Sequence, residues 1–258
     1  MSVQSIYRWH EGVLDPLEYC DMTLTVVEAA DSWLVSDGLV LGIDLHRSRF
    51  AAAVPVELEH EFEQFWDAAL GLIPREGDWF PRVELHSRGG ARQFVFRLRT
   101  APERSRTAVL ATWGGDDPRT VPTVKGPDLE RLQGVRTAAQ GRGATEAVIL
   151  SPDGYVVEGA YSALLWWRGN ILCGPPAEFA RVDSVTARSV LTLAAALGIE
   201  TFDEAVTPAE LDGTELWVLS ALHGIRIATS WVDGPALAEL PGRLESWRSR
   251  MSALRRPL

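Results

Sequence analysis

An α+β protein of two domains is predicted by three features of this 258-residue sequence. Short β-branched or alternating runs recur between Gly, Pro, Asn and Asp turn signals, as half-buried strands require. Two longer stretches, residues 57–72 and 186–197, instead carry apolar side chains at helical spacing. Between them, residues 114–126 shift to Gly, Asp and Pro, with strand and helix patterns on both sides. A smaller N-terminal α+β domain is therefore expected over 1–113, a linker over 114–126 and a larger C-terminal α+β domain over 127–258.

Residues 1–56 read as short strands, with 23–27 and 32–35 β-branched or alternating and Ser36-Asp37-Gly38 as a hairpin turn. Helices are expected over 45–53 and 57–72; in the second, Leu58, Phe62, Phe65, Trp66, Ala69 and Leu70 share a face and Pro74 ends the run. Arg88-Gly89-Gly90 joins strands at 83–86 and 93–100, and a further strand falls at 107–113. Leu129, Leu132, Val135 and Ala139 form a helical stripe closed by Gly141 and Gly143. Strands follow at 147–150, 155–158, 163–167 and 171–173, then a helix at 186–197 stopped by Gly198, strands at 217–219 and 225–231, and a basic surface helix at 240–250. Trp166, Trp167, Trp217 and Trp231 lie in apolar strand runs and are expected in the core.

The formal charge of -10, with arginines scattered among 35 acidic residues, argues against nucleic acid and anionic membranes as partners. Cys20 and Cys173 are far apart with no CxxC or Cys/His cluster, which suggests neither a disulfide framework nor a zinc site and points to a reducing cytoplasm. No cationic leader and no apolar run long enough for a membrane helix is present. His10, His46, His60, His86 and His223 form no i, i+4 pair and no HExxH, so no metal is expected. Neither a glycine-rich phosphate loop nor a GxSxG elbow occurs.

Lys125 is the one lysine in a chain with 24 arginines. A desolvated Lys amine can lose its proton and form a Schiff base, whereas a guanidinium stays protonated and reacts poorly. Composition alone also allows chance retention, so the surroundings decide.

Four segments supply them: His46-Arg47-Ser48-Arg49-Phe50; Asp117-Pro118-Arg119 with Pro122 and Lys125; Asp153 to Gly159 running into Ser162 to Trp166; and Ser184 to Arg188 with Ser220-Ala221-Leu222 further on. In this order and spacing the chain resembles the class IV, fold type IV family of pyridoxal-phosphate (PLP) enzymes over roughly residues 36–232. Branched-chain and D-amino-acid aminotransferases and aminodeoxychorismate lyase belong to it. The resemblance implies a two-domain fold with the cofactor in the interdomain cleft, and a homodimer. It makes Lys125 the catalytic Schiff-base lysine and Glu158 the partner of the pyridinium nitrogen. Arg49, Val185, Thr186, Ser220 and Ala221 become the phosphate contacts. Thr186 read alone is equally an N-cap, and His46 reads as structural support beside Arg49.

Arg97 and Arg99 alternate with Phe96 and Leu98, which fits either one of them projecting toward the cofactor cleft to bind a substrate carboxylate or a solvated sheet face. His223 either faces the substrate or is a hydrogen-bonded loop residue. The family's Gly-Asp-Gly segment is replaced by Val27-Glu28-Ala29-Ala30-Asp31, its Asn by Ala163, and its Gly and Arg around the phosphate threonine by Ser184 and Ala187. Within the family, Ser220-Ala221-Leu222 and the stretch from Leu165 to Asn170 most resemble aminodeoxychorismate lyase, which releases 4-aminobenzoate and pyruvate from 4-amino-4-deoxychorismate. An aminotransferase acting on a small amino substrate is the alternative, and a degenerate, non-catalytic homologue is the third reading.

Overall fold

The computed structural model describes residues 4–17 and 25–258. Cys20 and the start of the strand expected at 23–27 lie outside the described residues. The chain divides into two compact units, one running to Glu103 with Val124–Pro127 and Leu254–Leu258, the other comprising Arg104–Thr123 and Asp128–Ala253.

In the first unit the elements run β1 (Gln4–His10), β2 (Val13–Pro16), β3 (Val26–Ser32), β4 (Val35–Ser36), β5 (Leu39–Val40), α1 (Ile43–Ala51), α2 (Glu59–Gly71), β6 (Asp78–Trp79), β7 (Arg82–Arg88) and β8 (Ala91–Arg99). Five strands form one sheet in the order β2-β1-β8-β7-β3, which leaves β3 at an edge. Strand alternation divides its faces. Trp9, Val83, Leu85, Phe94 and Phe96 pack with Phe50 of α1 and Phe62, Phe65 and Trp66 of α2. Arg82, Glu84 and His86 on β7 alternate with Val83 and Leu85, and Arg82 lies opposite Arg97 on β8. The Ser36-Asp37-Gly38 turn forms as expected, with φ of 46° at Asp37 and 73° at Gly38 closing β4 onto β5.

The second unit contains β9 (Thr107–Thr112), α3 (Leu129–Gly141), β10 (Glu146–Leu150), β11 (Val156–Gly159), β12 (Ala163–Arg168), β13 (Ile171–Gly174), α4 (Val185–Ala196), β14 (Thr201–Asp203), β15 (Glu215–Ser220), β16 (Gly224–Val232) and α5 (Arg243–Ala253). Its eight-stranded sheet has the order β11-β10-β9-β16-β15-β12-β13-β14. The division falls after Glu103 rather than after Trp113, because β9 pairs in parallel with β10 and β16. Helix α4 packs on β12, β14 and β15. Trp166 and Trp217 are fully enclosed, and Trp167 and Trp231 are buried with them. The helix expected at the surface is amphipathic instead: Leu244, Trp247 and Met251 of α5 are buried, and the Trp247 ring lies 5.6 Å from that of Trp167 and 5.3 Å from that of Trp217. Among the described residues no helix is long and apolar enough to cross a membrane.

Candidate active site

Lys125 is half-buried in the short segment that the first unit takes from beyond its main run. Its carbonyl accepts a 2.6 Å hydrogen bond from the Ala30 amide, available because β3 is an edge strand. The register of β3 on β7 shifts between Val27 and Ala29, just before this contact. Gly126 has φ of 140°, and a Cβ there would lie 2.7 Å from the backbone of Ala29 and Ala30. Only glycine allows so close an approach, so Gly126 seats Lys125 against β3.

One residue along β3, Asp31 is completely buried. It accepts two 2.8 Å bonds from Arg49, Nε to Oδ2 and Nη2 to Oδ1, and lies 2.8 Å from Nδ1 of His46. Burial alone would raise the Asp31 carboxyl, but His46 and Arg49 hold it well below the usual carboxylate range. Burial pushes His46 down despite Asp31, and Arg49 and Lys125 add to that push. With Asp31 ionised, Nδ1 of His46 is the donor in this contact.

Arg97 and Arg99 sit on the sheet face away from the aromatic core. Nε of Arg97 donates to Glu84 Oε2 at 2.8 Å, Arg82 meets Glu84 Oε1 at 2.7 Å, and Nε2 of His86 is 2.8 Å from Oε2. Burial would raise Glu84, but His86, Arg82 and Arg97 hold it down at about 2. Arg99 donates to the Phe80 carbonyl at 2.7 Å and lies 4.8 Å over the Phe80 ring. Burial, then Arg82 and Arg97, bring Arg99 down to about 10. Two guanidinium groups thus pair with Glu84, and a third, that of Arg99, lies on the same face without bonding it. This is a half-buried cationic cluster rather than a solvated face.

In the second unit, Glu158 is buried on β11 and accepts a hydrogen bond from Arg119 Nη1. At the start of α4, Ser184 is the N-cap: its Oγ accepts from the Ala187 amide at 3.2 Å and its carbonyl from Arg188 at 2.9 Å. Thr186 is therefore a buried first-turn residue and not the cap. The amides of Val185 and Thr186 are the first two of the helix, where geometry supplies no acceptor within the helix. Ser220 ends β15, Ala221 follows it in the turn, and Ser220 Oγ accepts from the His223 amide at 3.3 Å. His223 accepts the Ser105 amide on Nδ1 at 3.1 Å, and burial, with Arg226 and Arg136 beside it, lowers its ring to about 4. It is a hydrogen-bonded loop histidine.

The profile of the family described as amino-transferase class IV matches residues 28–231. The chain belongs to that family. A branched-chain-amino-acid aminotransferase of Escherichia coli (strain K12) is 26% identical over 113 residues, 43% of this class IV chain. The matched stretch spans 37% of that enzyme's length. Over 97% of the chain, the fold resembles that of a branched-chain aminotransferase from Thermoproteus uzoniensis with norvaline (TM-score 0.79, 19% identity, 96% of that chain). A hypothetical aminotransferase from Mycobacterium tuberculosis in its PLP-bound form gives a TM-score of 0.75 at 18% identity, covering 98% of both chains. These likenesses identify the fold of the class IV chain as fold type IV.

The residue chemistry present fits PLP: one lysine amine, a buried carboxylate on β11 and the first-turn amides of α4. Sequence reasoning missed how Asp31, Glu84 and Arg119 engage the named residues. Asp31 lies inside the segment that departs from the family, and the alternation of Arg82, Glu84 and His86 is the one local sequence signal of the cluster around Glu84.

Proposed function

We propose that this chain is a PLP-dependent aminotransferase that moves an amino group between an amino acid and a 2-oxo acid. The observation that carries the reading is the seating of the one lysine: Gly126 and the Ala30 amide fix Lys125 beside the Asp31–His46–Arg49 cluster. A lysine so placed would hold the cofactor through its amine and would serve as the acid and base at the substrate carbon. Bound PLP supplies the electron sink for that carbon. Glu158 would pair with its ring nitrogen. On the family resemblance, Arg49, the Val185 and Thr186 amides, Thr186 Oγ1, Ser220 and Ala221 would hold the phosphate; a helix N-terminus favours an anion. Arg97 and Arg99, in a cluster with more positive than negative groups, bind the substrate carboxylate. A homodimer in the cytoplasm belongs to the same reading, on the family resemblance.

The curated relatives favour amino transfer. A lyase of the aminodeoxychorismate type is the second reading, favoured by Ser220-Ala221-Leu222 at the end of β15 and by the Leu165 to Asn170 stretch on β12 and its turn. Both reactions begin with the same displacement of Lys125. Purified protein, supplied with PLP, is expected to show an absorbance band that borohydride reduction shifts. Amino acids offered as a panel should then convert the cofactor to its pyridoxamine form, and 2-oxo acids should reverse the change. Release of pyruvate and 4-aminobenzoate from 4-amino-4-deoxychorismate, without the pyridoxamine form, would replace this reading with the lyase. Protein that takes up no PLP would overturn both.

A further inference from the structure

The family pattern leaves Arg119 without a role, yet its guanidinium is held more completely than most in the chain. Its side chain is 3% exposed and lies between two carboxylates. On one side Nε and Nη2 donate to Asp117, at 2.9 Å to Oδ1 and 2.7 Å to Oδ2; on the other Nη1 donates to Glu158 Oε1. Its amide also donates to Asp117 Oδ1 at 3.0 Å. The backbone just beyond is pinned by buried Asp128, which accepts from the Thr120 and Val121 amides at 3.0 and 2.9 Å and from Thr120 Oγ1 at 2.8 Å. Arg119 is thus clamped by its own loop and directed at the acid on β11.

Burial favours the protonated form of a carboxyl group, and Glu158 is 7% exposed. A protonated Glu158 would carry no charge with which to keep a ring nitrogen protonated. A guanidinium on Oε1 opposes that protonation and fixes the plane of the carboxylate. Asp117 balances the guanidinium, so Asp117, Arg119 and Glu158 together keep one net negative charge. We propose that Arg119 is the positioning residue for Glu158, holding it ionised and oriented to receive the cofactor's ring nitrogen. This rests on the PLP reading above.

The test uses the full chain loaded with PLP. It measures the PLP dissociation constant and the ring-nitrogen NMR resonance of isotopically labelled PLP in wild type, Arg119→Leu, Glu158→Gln and the double variant. Arg119→Leu is expected to weaken PLP binding by about tenfold, the scale of one hydrogen bond to a charged group. It should also move the ring-nitrogen resonance toward the unprotonated value. In the Glu158→Gln background the same replacement should add nothing, because Arg119 acts through Glu158. Arg119→Gln provides the same comparison if the leucine variant does not fold. Wild-type affinity and resonance in a folded Arg119 variant would overturn this inference alone. Wild-type protein that binds no PLP would overturn the PLP reading and this inference with it.

Discussion

Arg49 meets Asp31 through two parallel hydrogen bonds of 2.8 Å, and the carboxylate that receives them is completely buried. Asp31 leaves β3 toward α1, so the pair ties the edge strand that seats Lys125 to the helix that carries Arg49. The fork geometry fixes the guanidinium plane, which a lysine could not reproduce.

Breaking that pair from the carboxylate side leaves a buried cation unmatched. Asp31→Asn is expected to lower stability by about 3–5 kcal/mol, the scale for removing one partner of a buried ion pair. Urea unfolding of the variant beside wild type measures the difference. A loss under about 1 kcal/mol would mean the pair acts like an exposed one.

Lys125 owes its place to Gly126. Gly126→Ala puts a Cβ within 2.7 Å of the Ala29 and Ala30 backbone, at a φ of 140° that L-residues rarely adopt. The segment must shift, with a cost of roughly 1–3 kcal/mol from strain. The expected outcome is a folded protein with a lower melting temperature and slower formation of the borohydride-sensitive band. Lys125→Ala should abolish that band outright and reduce turnover by about 10³-fold or more, as loss of an acid/base and covalent group requires. Wild-type turnover in the alanine variant would remove Lys125 from the chemistry.

The pH response follows from His223. Its ring is lowered from 6.5 to about 4, first by burial and then by Arg226, Arg136 and other arginines. The unfolded chain therefore takes up a proton as pH falls through 6.5, while the native loop resists until about 4. Native stability from this residue is present above 6.5 and lost as pH falls toward 4. His223→Gln should flatten the stability profile across that window, as followed by unfolding midpoints, and should leave it unchanged above neutrality. An equal slope in both proteins would show that the lowering is absent in solution.

Most helices and hairpins were legible because each has a local cause. Phe62, Phe65, Trp66 and Ala69 recur at helical spacing, and Asp37-Gly38 favours the left-handed turn. The residues proposed for the site rest on equally local signals: Lys125 on its singularity, and Glu158, Thr186 and Ser220 on their places in motifs. Partnerships made across sequence distance were not. Asp31 reaches Arg49 eighteen positions away, and Arg119 reaches Glu158 across 39, through strand register and loop clamps that no window displays. The position of Trp247 shows the same limit, since the basic residues around it suggest a surface helix while its buried stripe depends on Trp167 and Trp217.

Arg99 offers the cleanest test of a carboxylate subsite. Arg97 is bonded to buried Glu84, so its loss would disturb an ion pair as well as any substrate contact. Arg99 instead donates to neutral oxygens, the Phe80 carbonyl and, at 3.4 Å, Ser32 Oγ. Arg99→Leu therefore removes a cation without stranding a directly bonded anion. If Arg99 binds the substrate carboxylate, KM for acidic amino acids and 2-oxo acids should rise by about tenfold or more, with kcat changed far less. The stability cost should stay near 1 kcal/mol, since the lost bonds are to neutral acceptors. A fall in kcat with unchanged KM would instead assign Arg99 to holding the site's framework and would move carboxylate recognition away from β8.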